Sequence, residues 1–408
     1  MKLDKSFLTL FVGLAMAACS NDDTVPLSGE DVVQPGSAIT LTVNSGGDGL
    51  NTRAGRPVNS SEAANNVTAV RLYIYNPSGT DVTNAALAAG TQNPVLWTAG
   101  PSDSATPGDN PNPAHKASQT VKLNKLATNG VYTVVAYGYN TALDYNITAG
   151  TSADDSFTAA LPAATNESEL FAGKATFNVI NGNIQAGTSS EVELRRHVAG
   201  LLGYFKNVPV LYPNPVGGLP TPVAFVRVYA SSHATSFTFP SVLNVNGTGN
   251  NTKTKVLEFG LNTLITDYAG QITAAGTNLT KVFNIPAIST GTTATVPNSI
   301  LNGKFLVPFA QVAGATTFTV QLEDALGTVL KTWDVVNNAL TGDKKIYDVR
   351  RNYFYSLGQK VKASSTDGGT PDPGTTDDND NPIDLSQETV ITVTVNDAWD
   401  TIYNLGIE

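Results

Sequence analysis

Most apolar residues of this chain fall in short runs that alternate with polar residues or consist of β-branched and aromatic side chains. Such runs are typical of half-buried β-strands, because successive side chains of a strand point to opposite faces. The segments between them, such as residues 101–114 (PSDSATPGDNPNPA), have the Pro, Gly, Asn and Asp of loops. Helices are predicted to be few and short, near residues 167–171 and 262–268. The pattern predicts an all-β fold with strands at residues 67–75, 130–139, 224–230, around Phe237, 304–310 and 316–324.

Composition agrees with a strand-rich chain, since Thr, Asn, Gly, Ala and Val are abundant while Lys and Glu, which favour helix surfaces, are scarce. Only 14% of the residues are charged, and the net charge is -10. Nucleic acids and anionic membrane surfaces bind basic patches, so neither is predicted as a partner. The strand sequence at residues 70–75 (VRLYIY) has a counterpart at 225–229 (FVRVY), which predicts two similar sandwich domains, at residues 54–187 and 188–362.

The first residues have the pattern of an export signal. Two lysines precede an apolar run at residues 7–18, and Cys19 follows directly. The run is about a dozen residues long, shorter than the roughly 20 needed to cross a membrane, so residues 1–18 are predicted to be a signal peptide. Residues 16–19 (MAAC) resemble the lipobox of bacterial lipoproteins, which implies that Cys19 is lipidated. Because Cys19 is the only cysteine of the chain, neither a disulfide nor a thiolate metal site is predicted.

Two hexapeptides near opposite ends of the chain are almost the same, residues 39–44 (ITLTVN) and 391–396 (ITVTVN). As strands, each would present three nearly identical apolar side chains on one face, and we expect them to compete for a single groove. The alternative is that the likeness is a coincidence, because alternation of Thr with Ile or Val is common in β-strand sequences. The apolar residues in question are Ile39, Leu41 and Val43 in the first hexapeptide, and Ile391, Val393 and Val395 in the second.

An exposed cleavage site is predicted between the first hexapeptide and the first domain. The stretch there is rich in Gly and Asn, and such segments are open to proteolysis. The favoured cut lies between Arg53 and Ala54. Arg56 is a poorer candidate because Pro57 follows it and restricts the backbone that a protease must bind. Residues 19–53 would then be a propeptide that carries the first hexapeptide away.

A linker is predicted at residues 363–382, where almost no side chain is apolar. Its acidic run at residues 377–380 lacks the Gly and terminal Glu of an EF-hand loop, so no calcium site is predicted there. Strand-forming sequence follows the linker. Residues 363–408 are therefore predicted to combine a flexible linker with one further strand.

Taken in order along the chain, these segments resemble the Bacteroidales fimbrillins, the subunits of type V pili, over essentially the whole precursor. The segments that carry the resemblance are the lipobox at Cys19, residues 51–54 (NTRA), 132–140 (YTVVAYGYN), 192–202 (VELRRHVAGLL), 350–358 (RRNYFYSLG) and 391–399 (ITVTVNDAW).

The resemblance implies two transthyretin-like β-sandwich domains in tandem and a precursor anchored by lipid to the outer membrane. It further implies that an Arg-specific surface protease removes the first strand, and that the subunit then polymerises by donor-strand exchange with other copies, beside tip and anchor subunits. A strand of another copy would replace residues 38–44, which favours a stalk subunit of a surface fimbrium that supports adhesion. The donor residues would be Val390, Ile391, Val393 and Val395.

Two other classes of protein compete with this interpretation. An enzyme is disfavoured, because the chain has three histidines without metal spacing and no thiol besides Cys19, so no catalytic, cofactor or metal residue is predicted. His197, beside two arginines in a predicted strand, is interpreted as structural. The second rival is a surface lipoprotein that does not polymerise, either an anchor or accessory subunit or a glycan-binding adhesin, with its terminal strands folded into its own sheets.

Overall fold

Strands make up nearly all of the regular structure in the described part of the chain, which confirms the all-β prediction. The structure is a computed structural model, and every residue it describes lies in one compact unit, Pro35–Glu408. The described residues are 37–48, 67–97, 114–139, 144–150, 157–163, 166–240, 253–288, 295–311, 314–359 and 380–396.

The strands are β1 (Ala38–Asp48), β2 (Ala69–Tyr75), β3 (Val95–Leu96), β4 (Ala114–Lys122), β5 (Gly130–Tyr139), β6 (Asn146–Thr148), β7 (Phe157–Ala160), β8 (Phe171–Ile180), β9 (Asn183–Ile184), β10 (Glu191–Arg196), β11 (Ala199–Lys206), β12 (Leu211–Tyr212), β13 (Thr221–Pro222), β14 (Phe225–Ala230), β15 (Ser236–Phe239), β16 (Thr254–Gly260), β17 (Ser299–Leu306), β18 (Phe318–Glu323), β19 (Val329–Val336), β20 (Phe354–Leu357), β21 (Ile383–Asp384) and β22 (Ile391–Asn396). The helices are α1 (Thr83–Ala86), α2 (Leu261–Leu264) and α3 (Tyr268–Ala275). No helix among the described residues is long and apolar enough to cross a membrane.

Five of the six predicted strands are confirmed, by β2, β5, β14, β15 and β18. The sixth, predicted at residues 304–310, is displaced toward the N-terminus, because β17 ends before Pro308, which has no N–H for a sheet hydrogen bond. The helix predicted near 262–268 is present as the short helices α2 and α3. The helix predicted at 167–171 is wrong, since residues 166–170 have no regular secondary structure and lead into β8. Its two glutamates form buried ion pairs with Arg196 and Lys304, which tie the segment to other strands.

The first large sheet has the strand order β3-β2-β5-β8-β10-β1-β4, with β9 paired to β8. Its inner face is lined by the aliphatic residues of β2, β5 and β8 together with those of β1. Strand β1 is therefore an interior strand of this sheet, although it precedes the rest of the sheet in the chain.

The second large sheet has the order β16-β14-β18-β19-β22-β20-β11-β17, with β21 paired to β11. Strand β22 is an interior strand of this sheet. The chain passes from the first large sheet to the second between Arg196 and Ala199. The division into two sandwich domains near residue 187 remains a prediction.

The two halves of the chain share one hydrophobic core cluster. A small sheet of β6, β7 and β15 joins them, because β7 belongs to the first half and β15 to the second. The ring of Phe239 lies with its centroid 5.6 Å from the centroids of both Tyr137 and Phe157. Aromatic packing of this kind adds to the stability gained by burial alone, so the two large sheets are held together by an extensive contact.

Candidate functional site: two strand slots

The first slot is the position between β4 and β10 that β1 occupies. Strand β1 runs antiparallel to β4 and parallel to β10, so that Leu41 is opposite Gln119 on one side and Val192 on the other. Ile39 and Leu41 have 0% of their surface exposed, and Thr42, on the opposite face of the strand, has 2%. Over residues 39–42 the strand is therefore fully buried on its apolar face, while on the other face Thr42 is buried and Thr40 half-buried.

Loss of β1 would open the first slot on two sides. Within the described residues β4 pairs with no other strand, and β10 would lose its pairing on that side. Burial of Ile39 and Leu41 is worth about 1.5–3 kcal/mol each, and each ladder hydrogen bond about 0.5–1.5 kcal/mol. An apolar groove with unpaired backbone edges is the kind of surface that accepts an added strand.

The second slot is the position between β19 and β20 that β22 occupies. Strand β22 runs parallel to β19, with Ile391 opposite Val335, and antiparallel to β20, with Val393 opposite Leu357. Ile391 is 0% exposed and Val393 2% exposed. Val395 is half-buried, whereas Val390 and the threonines of the hexapeptide are exposed. The C-terminal hexapeptide is thus covered on one face only.

The two slots share the same arrangement of neighbours. In each slot the hexapeptide has one parallel and one antiparallel partner, and its first and third residues are buried. Both strands run toward residues 197–198, the short segment that joins the large sheets. Strand β1 does so because it is parallel to β10, which ends there. Strand β22 does so because it is antiparallel to β20, whose first residues lie beside the start of β11. The likeness of the hexapeptides thus corresponds to two similar positions in two sheets. Sequence reasoning missed the second position, because it looked for a single groove.

A short segment before β22, residues 380–388, attaches the chain to the second sheet, and we call it the C-terminal clasp. Strand β21 pairs with the end of β11, and Asn207 Nδ2 donates a hydrogen bond of 2.7 Å to Asp384 Oδ2. Trp333 Nε1 donates to the carbonyl oxygen of Glu388 at 2.9 Å. Burial raises the pKa of Asp384, but the hydrogen bonds from Ser386 and Asn207 outweigh it and lower the pKa overall. The clasp therefore holds an ionised Asp384 ahead of an exposed stretch at residues 386–390.

A buried ion-pair cluster lies where the two halves meet. Glu167 Oε1 is 2.6 Å from His233 Nε2, and Glu167 Oε2 is 2.7 Å from Lys304 Nζ. Burial alone would raise the pKa of Glu167, but the hydrogen bond with His233 and the charge of Lys304 lower it overall. Each carboxylate oxygen already has a partner, so this cluster is best explained as a polar joint between the halves.

His197 lies in the segment between the two large sheets and is fully buried in apolar surroundings. Burial, and then the positive charge of Arg351, lower its pKa to about 3. The neutral ring accepts a hydrogen bond at Nδ1 from Arg351 Nη1, 3.1 Å away. The neighbouring Arg196 pairs with Glu169 at 2.9 Å, and both side chains are buried. These contacts agree with a structural role for His197. In the part of the chain that the structure describes, no group of three or more His, Cys, Asp or Glu could hold a metal.

Several predicted site residues lie outside the described part of the chain. These are the lipidation site Cys19 and the cleavage site Arg53 and Ala54. The backbone pairing of Val43 is described, with Leu194 and Ala117 as its partners. The structure therefore places the two strands of the prediction, while the lipid anchor and the cleavage site stay predictions.

Neither a protein-family model nor a curated protein matches the chain. Solved structures are similar to it at low sequence identity. The fimbrial anchor protein Mfa2 from Porphyromonas gingivalis is 13% identical over 88% of this chain and 96% of that chain, with a TM-score of 0.32. A fimbrial assembly protein from Parabacteroides distasonis is 10% identical over 80% and 92% of the two chains, with a TM-score of 0.32. A protein of the same species assigned to cell adhesion is 12% identical over 90% and 98%, with a TM-score of 0.42. All three neighbours are described as fimbrial or cell-adhesion proteins.

Proposed function

We propose that this protein is a structural subunit of a cell-surface fimbria that supports adhesion. The precursor is anchored to the outer membrane through lipid on Cys19, and an Arg-specific surface protease cuts it between Arg53 and Ala54. Cleavage releases β1, and the subunit polymerises by donor-strand exchange. Its partners are other copies of itself in head-to-tail order, together with tip and anchor subunits.

The place of β1 inside its sheet is the observation that most supports this proposal. A strand at the edge of a sheet could be lost with little effect, but β1 fills a gap between β4 and β10. The predicted cut at Arg53 follows the end of β1 by only a few residues. Proteolysis there would convert a covalently attached strand into one that a competing strand can replace.

The C-terminal hexapeptide has the side chains that the first slot needs. In the proposed exchange Ile391 takes the place of Ile39, Val393 that of Leu41, and Val395 that of Val43. The donor would again lie between one parallel and one antiparallel neighbour, as it does in its own sheet. Because each copy donates one strand and receives one, the association does not close on itself and yields a filament.

A surface lipoprotein that does not polymerise is the second candidate, either an anchor or accessory subunit or a glycan-binding adhesin. It is favoured by one observation, namely that β22 already lies inside the second sheet of its own chain. In this case both terminal strands remain in their own sheets, and loops carry any binding.

A disulfide lock on β22 distinguishes the two candidates. Ser356 and Thr394 are opposite each other in the antiparallel pair of β20 and β22. Residues opposed in this way have Cα atoms about 4.5–5.5 Å apart, which is within the range of a disulfide. The double variant Ser356→Cys, Thr394→Cys is made in the full chain with Cys19→Ser and treated with an Arg-specific protease. We expect filaments in electron micrographs after reduction and none while the disulfide is intact.

The matched control places the lock in an antiparallel pair that borders neither slot. Thr133 and Thr176 are opposed in the pair of β5 and β8. The variant Thr133→Cys, Thr176→Cys should form filaments whether oxidised or reduced. Filaments from the oxidised β22 lock would rule out β22 as the donor. If no cleaved and reduced variant polymerises, the second candidate is favoured.

A further inference from the structure

The second slot would be left empty by the exchange proposed above, and the chain contains a second strand that matches it. We propose that the second slot is a binding site for the released N-terminal strand, so that residues 38–44 of a cleaved chain fill it when β22 is donated to a neighbour. The departure of β22 rests on the proposed function, whereas the fit of the strand can be tested without polymerisation.

An empty second slot would expose a large part of the core. Ile391 and Val393 of β22 belong to the same core cluster as the buried Trp333 and Val335 of β19 and the buried Tyr355 and Leu357 of β20. Both neighbouring strands would also lose backbone partners, and unpaired backbone groups shielded from water are costly. Moving β22 into the first slot of another subunit therefore buries one groove and opens another of similar kind.

Each subunit has two slots and two strands that fit them. If cleavage simply discarded β1, one slot per subunit would remain open in the filament. If β1 moves to the second slot while β22 moves to the first slot of a neighbour, both slots stay filled. The apolar side chains of the hexapeptides are then buried before and after the exchange.

The fit of the N-terminal strand to the second slot follows position by position. Ile39 would replace Ile391 and keep the same side chain at a fully buried position. The threonines of the two hexapeptides are identical. Residues 45–47 (SGG) have no bulky side chain that would obstruct the end of the slot. The strand would also meet one parallel and one antiparallel neighbour, as it does in the first slot.

One methylene group distinguishes the two strands. Leu41 would replace Val393, which is 2% exposed, and an added methylene in a packed core strains its neighbours. In the reverse direction, Val393 would leave a gap of one methylene in the place of Leu41 in the first slot. Each strand therefore prefers its own slot in the precursor, and exchange requires cleavage at Arg53 to free β1.

A peptide crosslink tests the second slot in the uncleaved full chain, where β1 still fills the first slot. Ile391→Asp and Val393→Asp keep β22 out of the second slot, and Cys19→Ser with Ser356→Cys leaves one thiol. The probe is a peptide of residues 37–48 with Thr42→Cys, because Thr42 corresponds to Thr394, which is opposite Ser356. We expect a disulfide between peptide and protein, detected as an increase of one peptide in the intact mass.

The control is the same peptide with Ile39→Asp and Leu41→Asp, which keeps its thiol but cannot bury its apolar face. We expect its crosslinking yield to be at least about tenfold lower, which corresponds to about 1.4 kcal/mol of binding. Equal yields from the two peptides, or no crosslink to a protein that retains its strand-rich circular dichroism, would overturn the proposal.

A second variant avoids the need for an empty slot. Val393→Leu in the otherwise unchanged chain makes residues 391–396 identical to 39–44. If the second slot accepts the N-terminal strand, this variant should keep amide protection in 391–396, lowered by no more than about tenfold. Loss of all protection in this strand, in a protein that is otherwise folded, would contradict the proposal.

Purified filaments separate this inference from the proposed function. If it is correct, filaments dissolved in denaturant release a peptide that contains residues 38–44. Filaments without this peptide would overturn the inference and leave the fimbrial function intact. A crosslinked second slot together with no filaments from any cleaved chain would refute the function and leave the binding site.

Discussion

The two slots hold nearly the same hexapeptide, but its side chains are buried to different extents in the two sheets. In the first slot β1 extends over 11 residues, and its threonine face is half-buried at Thr40 and 2% exposed at Thr42. In the second slot β22 has 6 residues, and its Thr392 and Thr394 face solvent. The threonine face of the same sequence pattern is thus largely covered at residues 40–42 in one sheet and open to solvent in the other.

This difference indicates which strand can move without being cut. Burial and backbone pairing both increase with the length and coverage of a strand, so β1 should leave its slot far less often than β22. A protease cut is then needed to free β1, whereas β22 can open locally beside the exposed residues 386–390. In the proposed function the strand that is held less firmly is the donor.

A charged residue on the threonine face should give the largest difference in stability between the two slots. Thr42→Asp places a carboxylate at a position that is 2% exposed, opposite Glu193, a second carboxylate that already pairs with Arg195. We expect a loss of about 3–5 kcal/mol in the free energy of unfolding, or failure to fold. Thr394→Asp, the matched variant on the exposed face of β22, should change it by no more than about 0.5 kcal/mol. Urea denaturation of the precursor measures the free energy of unfolding of both variants. Equal losses would show that the threonine faces of β1 and β22 are buried to the same extent.

Ile39 and Ile391 occupy equivalent and equally buried positions in the two slots, and replacing each by Ala tests the slots at that position. Ile39→Ala and Ile391→Ala each remove the same fully buried side chain, so each should cost about 2–5 kcal/mol in the uncleaved chain. After cleavage and polymerisation the proposed exchange predicts different results. Ile391→Ala should lower the denaturant concentration at which filaments dissociate more than Ile39→Ala does. A larger effect of Ile39→Ala on the filaments would contradict the donor assignment of Ile391.

Much of the fold could be predicted from the sequence, because local pattern and local structure agree. Residues 130–139 are rich in β-branched and aromatic side chains, and they form β5 over that same range. The prediction was wrong where long-range contacts decide. Glu167 and Glu169 favour a helix by composition, but their contacts with His233 and Arg196 bind the segment to other parts of the chain, and it forms no helix. Neither partner is close in the sequence, so no local pattern could show these ion pairs.

The candidate site was predictable in part for the same reason. Alternation in residues 39–44 and 391–396 indicated two strands and the faces they bury, and the burial of Ile39, Leu41, Ile391 and Val393 agrees with it. The choice of neighbouring strand depends on the global topology, which places β22 between β19 and β20. The hydrogen bond from Trp333 to a backbone carbonyl has no sequence signature at all, because any residue can supply the carbonyl.

Lowering the pH should destabilise the strands in both slots together, whereas each substitution above acts on one slot. His197 connects the end of β10, beside the first slot, with Arg351 just before β20, beside the second. Its pKa falls from 6.5 to about 3 on folding. Below pH 6.5 the unfolded chain therefore takes up a proton that the folded chain does not, and stability decreases as the pH falls toward 3. The loss is at most about 1.4 kcal/mol for each pH unit.

The measurement is urea denaturation at pH 7, 6 and 5, where carboxylates with a lowered pKa remain ionised. The matched variant is His197→Gln, which keeps a hydrogen-bond acceptor for Arg351 but does not titrate. It should be less stable than the parent at pH 7, yet its stability should depend less on pH between 7 and 5. An unchanged slope in the variant would show that His197 is not the group responsible. Amide protection, measured relative to the intrinsic exchange rate at each pH, should decrease at pH 5 in β1 and β22 alike.

The smallest expected effect concerns the clasp, which only the second slot has. Trp333→Phe keeps an aromatic side chain in the core and removes the indole N–H that donates to Glu388, 2.9 Å away. The loss of one hydrogen bond should cost about 1 kcal/mol. The carbonyl of Glu388 keeps the hydrogen bond from Lys331 Nζ, 3.4 Å away, and this residue is exposed to water. Opening of β22 should therefore increase by about fivefold, since 1.4 kcal/mol corresponds to a factor of ten. Hydrogen exchange of the uncleaved chain measures this as faster exchange in residues 391–396, with β1 unchanged as the internal control. Equally faster hydrogen exchange in both strands would mean that Trp333 stabilises the whole core and that its hydrogen bond does not hold β22 in particular.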